Sequence, residues 1–279
     1  MAGAKAVVWA DGTETPNLGQ GTWKMGERGA DRAAEAAALQ LGLDLGMTLI
    51  DTAEMYAEGG AEEVVGAAIA GRRDEVFLVS KAYPQNAGRR SLGAACARSL
   101  RRLGTDRLDL YLLHWRGGIP LAETVEAMQA LVRAGSILRW GVSNLDVDDL
   151  EELGQGLASC ATDQVLWNLT ARGVEFDLLP FCARRNMPVM AYSPIGQGGA
   201  LLRNPALGRI AARHGATPAQ VALAFVLARP GVVAIPKASS AEHVRENAAA
   251  RELTLASADL AELDAAFPPP KRKRALEML

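Results

Sequence analysis

Leu49-Ile50-Asp51-Thr52-Ala53-Glu54-Met55-Tyr56 is a short apolar run that ends on a carboxylate and carries a phenol five residues later. A run of this length reads as a buried strand, and the polar residue at its end points to a role other than packing. The phenol has an ordinary pKa near ~10, so at neutral pH it holds its proton and becomes a useful donor only beside groups that help release it. One strand cannot supply those groups. The pattern recurs along the chain, however, and its recurrence decides the fold.

Working outward, Val7-Val8-Trp9 before Asp11-Gly12 reads as the first arm of a hairpin, because Asp-Gly suits a tight turn. Leu18-Gly-Gln-Gly-Thr22 reads as a short glycine-rich strand. Further strands fall near 48–52, 76–80, 108–113, 137–142, 162–168, 188–192 and 231–235. Alanine- and leucine-rich stretches of helical period separate nearly all of them, near 31–45, 61–70, 91–103, 121–134, 147–157, 176–186, 206–214, 218–228, 241–250 and 256–267, with Asp31 as a cap for the first.

Strand alternating with helix means parallel strands joined by right-handed crossovers, and eight such units close into a barrel. The expected fold is therefore α/β, a (β/α)8 TIM barrel with an N-terminal β-hairpin and a short C-terminal tail. The 279 residues suit a single barrel domain, 1–279, since such barrels run to about 250 residues. An open doubly wound sheet is the competitor. It would bind a dinucleotide at a GxGxxG turn after its first strand, and the nearest glycine group, Gly196-Gln-Gly-Gly199, comes late in the chain.

A hydrophobic fraction of 49% supports a large core, and a net charge of -2 gives no sign of nucleic acid or an anionic membrane as partner. Cys96, Cys160 and Cys182 are odd in number and widely spaced, without a CxxC pair or a cysteine-histidine cluster, which suits a reduced cytoplasmic protein and disfavours a disulfide framework or structural zinc; no metal site is expected. The opening MAGAKAVVWADG reaches charge and turn residues too soon for a signal peptide, and no apolar run nears the ~18 residues of a membrane span. No obligate protein partner is evident.

In a barrel of this kind the strand ends share one rim. The ends carry Asp51, Lys81, His114, Ser143 and Asn144, Gln164, Tyr192 and Lys237. Any one of them has an ordinary structural explanation: Asp51 as a turn cap, Lys81 in solvent, His114 in packing. Seven converging polar ends favour a site. A lysine beside a tyrosine favours the phenolate, an aspartate keeps the lysine charged and oriented, and a histidine can hold a carbonyl oxygen against the phenol. That set suits protonation of an alkoxide formed by hydride attack and needs no metal. Lys81 as a Schiff-base nucleophile of an aldolase is the rival use.

Asp51-Thr-Ala-x-x-Tyr56, Val79-Ser-Lys81, Leu112-Leu-His-Trp115, Gly141-Val-Ser-Asn144, Gln164, Ala191-Tyr-Ser-Pro194 and Ile235-Pro-Lys237 together make the chain resemble the aldo-keto reductases, from Leu18-Gly-Gln-Gly-Thr-Trp23 to Glu246-Asn247. The resemblance implies reduction of an aldehyde or ketone by a nicotinamide cofactor bound without a Rossmann domain. It implies Tyr56 as the acid, Asp51 and Lys81 as the residues that tune it, and His114 as the group that orients the carbonyl. It also implies a nicotinamide stacked on Tyr192, its carboxamide on Ser143, Asn144 and Gln164, and its ribose near Thr22, Trp23 and Asp51.

Around the pyrophosphate the resemblance places Ser193, Pro194, Ile195, Gly196 and Gln197, where small residues let backbone N–H groups approach oxygens. Lys237, Ala238, Ser239 and Ser240 fall where a 2′-phosphate is held, and Glu246 and Asn247 where adenine is contacted. The chain departs from the common pattern in having His243 where an arginine often stands, with Arg245 two residues on, and Ala238 in place of a frequent serine. Neutral imidazole lacks the fixed charge and donor fork of guanidinium. NADPH is expected as cofactor, with NADH possible.

Trp23, Tyr83 and Trp115, with Tyr56 and His114, are expected to face a small-molecule carbonyl substrate, aromatic or a small reactive aldehyde or dicarbonyl. Only a short stretch from Phe267 to Leu279 follows the last helix, so an open site and a solvated basic tail at 271–274 are expected. A cofactor-binding regulatory subunit built on the same barrel is the reading from a different class.

Overall fold

The computed structural model describes residues 5–279; residues 1–4, which open the stretch weighed as a leader, lie outside the described residues. Strands β1 (Ala6–Val8) and β2 (Glu14–Pro16) pair antiparallel in the expected hairpin, turned at Asp11-Gly12 with Gly12 at φ +84. Then come β3 (Gln20–Gly21), β4 (Leu49–Asp51), β5 (Phe77–Ala82), β6 (Leu110–Leu113), β7 (Trp140–Ser143), β8 (Cys160–Leu166), β9 (Val189–Tyr192) and β10 (Val232–Ile235). These eight lie side by side in sequence order, all parallel.

Parallel bridges from Leu18 to Ala234 and from Gly21 to Lys237 close the ring. The closure explains the glycine-rich first strand. A Cβ on Gly21 would stand 2.7 Å from the Ile235 carbonyl oxygen, so only glycine admits this approach of β3 to β10.

The helices α1 (Arg32–Asp44), α2 (Gly60–Ile69), α3 (Leu92–Leu103), α4 (Leu121–Arg133), α5 (Val147–Glu152), α6 (Leu178–Ala183), α7 (Pro205–His214), α8 (Pro218–Leu227), α9 (Ala241–Ala249) and α10 (Ser257–Ala266) fall in the expected places. Asp31 caps α1 by accepting from the Ala34 N–H at 3.0 Å. Two helices are shorter than the periodicity suggests. α5 stops at Glu152, followed by 3-10 turns from Gly154, whose φ of +55 leaves the helical region. α6 stops at Ala183, just short of Asn186 at φ +51.

Side chains along a strand alternate between its two faces, and this alternation creates the site. Leu49, Phe77, Val79, Leu110, Leu112, Met190, Val233 and Ile235 fill the barrel interior together with Val7 and Trp9 of the hairpin, whose Trp9 stacks on Phe77 at 4.8 Å. Ile50, Leu78, Tyr111, Leu113, Val142, Val165 and Ala234 have the opposite parity and pack outward against the helices. One inward step beyond the apolar layer comes Asp51 in β4, Lys81 in β5, His114 after β6 and Lys237 after β10. The hairpin thus plugs one end of the barrel, and the polar residues occupy the other.

Candidate active site

At the base of the site lies Lys81, fully buried. Its Nζ donates to Asp51 Oδ2 at 2.7 Å, to the Thr52 carbonyl at 2.9 Å and to the Tyr56 hydroxyl at 3.2 Å, so all three ammonium protons are used. Asp51 accepts a further bond on Oδ1 from Gln164 Nε2 at 2.7 Å. Burial pushes the Asp51 carboxyl up, against the pull of the ammonium. Burial works to lower the Lys81 value, but the Asp51 carboxylate and the Tyr56 phenol outweigh it, and the lysine stays charged.

Burial also raises the Tyr56 phenol above its ordinary value; Lys81 opposes this and Asp51 adds to it. The lysine therefore lowers the cost of phenolate without making phenolate the resting form. At neutral pH Tyr56 carries its proton. A buried, triply bonded ammonium is also a poor Schiff-base nucleophile, which counts against the aldolase use of Lys81.

His114 stands edge-on to Tyr56, ring centroids 5.7 Å apart. Burial and the nearby Lys81 lower its pKa to about 2, so the ring is neutral at every working pH. Among the described residues its Nδ1 is sealed and unpartnered, leaving Nε2 as the nitrogen able to donate toward the cavity.

The next tier is a set of amides and hydroxyls. Ser143 Oγ donates to the Gln164 carbonyl at 2.8 Å, and Asn144 Nδ2 donates to the His114 carbonyl at 3.2 Å and to Ser143 Oγ at 3.0 Å. Tyr192 donates its hydroxyl to Asn144 Oδ1 at 3.0 Å. Asn144 and Ser193 sit at φ +60 and +48, left-handed conformations that non-glycine residues hold only under constraint. Strain gathered at strand ends accords with a functional rim.

These residues line a cavity of about 740 Å³ that also takes in Thr22, Trp23 and Trp115 at one end and Lys237, Ala238, Ser239, His243, Glu246 and Asn247 at the other. Ser193, Pro194, Ile195 and Gln197 line it between them. Thr22 Oγ1 donates to the Asp51 carbonyl at 3.0 Å, and Lys237 Nζ rests on Ser239 Oγ at 3.0 Å. Glu246 is fixed by Thr217 Oγ1 at 2.5 Å. A long cavity with an aromatic ring, a patch of amides, a glycine-rich turn and a lysine in succession fits an extended dinucleotide.

Four expected residues stand apart from the cavity wall, Lys81 because it is fully buried behind Asp51 and Tyr56. Tyr83 packs edge-on against Trp115 at 6.0 Å, behind it rather than beside it. Ser240 is the N-cap of α9, accepting from the His243 N–H at 3.3 Å, and Gly196, at φ +58, serves the turn.

The tail departs furthest from expectation. Lys273 is not free in solvent but pairs with Asp146 at 3.1 Å and Asp177 at 2.9 Å. Leu276 packs against the core, and Met278 and Leu279 line the cavity. The site is thus narrowed by the end of the chain rather than open. Met55, Lys24, Leu202 and Pro218 also line it and were not foreseen, having no sequence pattern to mark them.

Among the described residues no group of His, Cys, Asp and Glu could hold a metal, and no helix is long and apolar enough to cross a membrane. All three cysteines are free and buried; burial pushes Cys96 and Cys160 up to about 12, and Cys182 further in the same direction, which makes them inert as nucleophiles.

Such a barrel with such a site defines a class, and a model of the aldo/keto reductase family matches residues 17–267. The chain belongs to that family. It is 54% identical to the methylglyoxal reductase YeaE of Escherichia coli (strain K12), covering 99% of each. It is 35% identical to a glyoxal reductase of Bacillus subtilis (strain 168), over 91% of this chain and 90% of that one. An aldo/keto reductase from Klebsiella pneumoniae, solved in complex with NADP and acetate, superposes with a TM-score of 0.96 at 54% identity, covering 99% of each chain.

Proposed function

We propose that this chain reduces small reactive carbonyl compounds, dicarbonyls of the methylglyoxal kind foremost, with NADPH as reductant and Tyr56 as the proton donor. The observation that carries the reading is the contact of Lys81 Nζ with both Asp51 and the Tyr56 hydroxyl, which line the cavity with His114 while the lysine lies buried behind them. When bound, the cofactor supplies the hydride.

The chain's residues do the rest. Tyr192 presents its ring to the nicotinamide, Ser143, Asn144 and Gln164 hold the carboxamide, and Lys237, Ser239 and His243 face the 2′-phosphate. His114 donates from Nε2 to the carbonyl oxygen and fixes it against the phenol. Tyr56 gives its proton to that oxygen as negative charge develops, and the fixed charge of Lys81 stabilises the phenolate left behind. Asp51 keeps the ammonium in place. Trp23, Trp115 and the terminal Met278-Leu279 limit the size of what enters, which favours small substrates over bulky ones.

We read residues 1–279 as a single domain acting in the cytoplasm on a small-molecule substrate. The relatives named for methylglyoxal and glyoxal support that substrate class. The test is Tyr56→Phe, with NADPH oxidation followed over a panel of aldehydes and dicarbonyls. A general acid is worth about 100- to 10,000-fold, so turnover should fall at least about 100-fold while NADPH binding, read by fluorescence, changes less than about twofold. Undiminished turnover would remove Tyr56 from the role. Binding of NADPH by the parent without its oxidation would instead favour a regulatory subunit.

A further inference from the structure

Gln164 has a neighbour that the proposed chemistry does not use. By strand parity Gln164 points into the barrel, whereas Asp163, paired with Val142 in the ladder, points outward with Val142 and Val165 into the layer beneath the helices. Asp163 is fully buried, and among the described residues neither of its carboxyl oxygens has a partner of good hydrogen-bond geometry. The Leu145 backbone N–H lies near enough to pull the carboxyl down, against the burial that raises it, but outside hydrogen-bond geometry. Leu145 directly follows Asn144, whose left-handed turn carries the contacts to Tyr192 and His114.

We propose that Asp163 is a positioning residue, a neutral carboxylic acid that supports the Ser143-Asn144-Leu145 turn from beneath and so aims its polar groups at the nicotinamide carboxamide. The inference rests on the reading of Ser143 and Asn144 as the carboxamide clamp.

The surroundings allow no other state. The titratable groups coupled electrostatically to Asp163 are Asp146 in the loop before α5, Asp149 in α5, Cys160 in β8 itself, Cys182 in α6 and, from the other face of the sheet, Tyr192 in β9, none of them cationic. A buried carboxylate here would have no cation of its own, since Lys273 and Arg116, the cations nearest in this region, are taken up by Asp146 and Asp149. Burial accordingly pushes its carboxyl well above the ordinary range. A protonated acid still offers an acceptor oxygen to Leu145, and asparagine copies that acceptor in the same volume.

The experiment compares Asp163→Asn, Asp163→Ala and Ser143→Ala for NADPH affinity at neutral pH, and follows thermal midpoints of the parent and Asp163→Asn from about pH 5 to about pH 8. Asp163→Ala should weaken NADPH binding about tenfold, and Asp163→Asn should keep it within about twofold, since amide and acid are interchangeable there. The sign of the stability change follows from the raised folded value: the unfolded chain loses this proton first as pH rises, so the parent is progressively penalised and the asparagine variant is not. The thermal margin of Asp163→Asn over the parent should therefore widen with pH.

Asparagine binding as poorly as alanine, or a margin that stays flat, overturns the proposal. Should Asp163→Ala fail to fold, infrared spectra decide: the parent at neutral pH must show the C=O stretch of an un-ionised acid that Asp163→Asn lacks, and its absence also overturns the proposal. If Ser143→Ala leaves NADPH affinity unchanged, the clamp reading has failed; if it weakens affinity while Asp163→Asn behaves like alanine, only the present inference has.

Discussion

Replacing Lys81 by methionine keeps the side chain's length and apolar stem and removes one charge from a buried pair. Lys81 and Asp51 have side chains 0% and 3% exposed and meet at 2.7 Å, so water cannot take the place of the lost ammonium. Asp51 would keep Gln164 on Oδ1 and lose its partner on Oδ2; the Thr52 carbonyl would be stranded as well. Removing one member of a buried pair typically costs about 3–5 kcal/mol. The expected loss from urea unfolding at pH 7 is in that range, together with a collapse of turnover. Part of the loss should be recovered in acid. Without Lys81 the folded Asp51 value rises further, and a group raised on folding contributes stability that is lost as pH rises, by about 1.4 kcal/mol per pH unit until the folded value is reached. The penalty should shrink between about pH 7 and about pH 5. Adding Asp51→Asn to Lys81→Met should return about 2 kcal/mol or more at pH 7, because a neutral amide has no charge to strand, yet restore no activity. A single-variant penalty below about 1 kcal/mol, or a double variant no more stable than the single, would refute the view that the pair is buried and mutually dependent.

Other perturbations test other parts of the site. With His114 lowered to about 2, kcat should show no break near the ordinary imidazole value of ~6.5, and an acid limb there that disappears in His114→Asn would contradict a neutral ring. His243→Arg adds a fixed charge and a donor fork at the far end of the cavity; the ratio of kcat/KM for NADPH over NADH should rise about tenfold, and an unchanged ratio would remove His243 from the 2′-phosphate. Deleting Met278 and Leu279 should raise kcat/KM for bulky aromatic aldehydes severalfold with less than about twofold change for small dicarbonyls, and equal changes would show that the tail does not select by size.

Much of this site was legible because two periodicities carry it. Repeated apolar runs, each followed by helix, require the ring of parallel strands, and the period of 2 along each strand then fixes which end residues face inward. Asp51, Lys81 and His114 are separated by tens of residues in the chain, yet each lies one inward step beyond the same apolar layer, so their meeting follows from parity. The reason for the glycines in β3 was not readable: only the structure shows that Gly21 has to pass the Ile235 carbonyl at close range where β3 meets β10. The net direction of the Tyr56 shift was not readable. Sequence supplies the lysine that lowers the phenol but not the depth of burial that raises it, and burial wins.

The tail shows where such reasoning ends. The run from Lys271 to Arg274 has no period, and its charges look the same in sequence whether solvated or paired. Its place depends on Asp146 and Asp177, which lie far upstream at the starts of α5 and α6 and converge only because successive βα loops gather on one rim. An ion pair at half-exposed sites contributes about 0–1 kcal/mol, too little to order a chain end by itself. Leu276 against the core adds the apolar contact that the charges cannot, and the two together bring Met278 and Leu279 into the lining of the cavity. Asp146 thereby belongs to both systems: it caps α5 directly after the turn that presents Ser143 and Asn144, and it receives the lysine of the tail. Neutralising it by Asp146→Asn keeps a capping side chain and removes the pairing charge. Because Lys273 keeps Asp177 and Leu276 keeps its place against the core, the change should loosen the tail only in part, with little loss of helix stability, and raise activity on bulky aldehydes in the same sense as deleting the last two residues but by less.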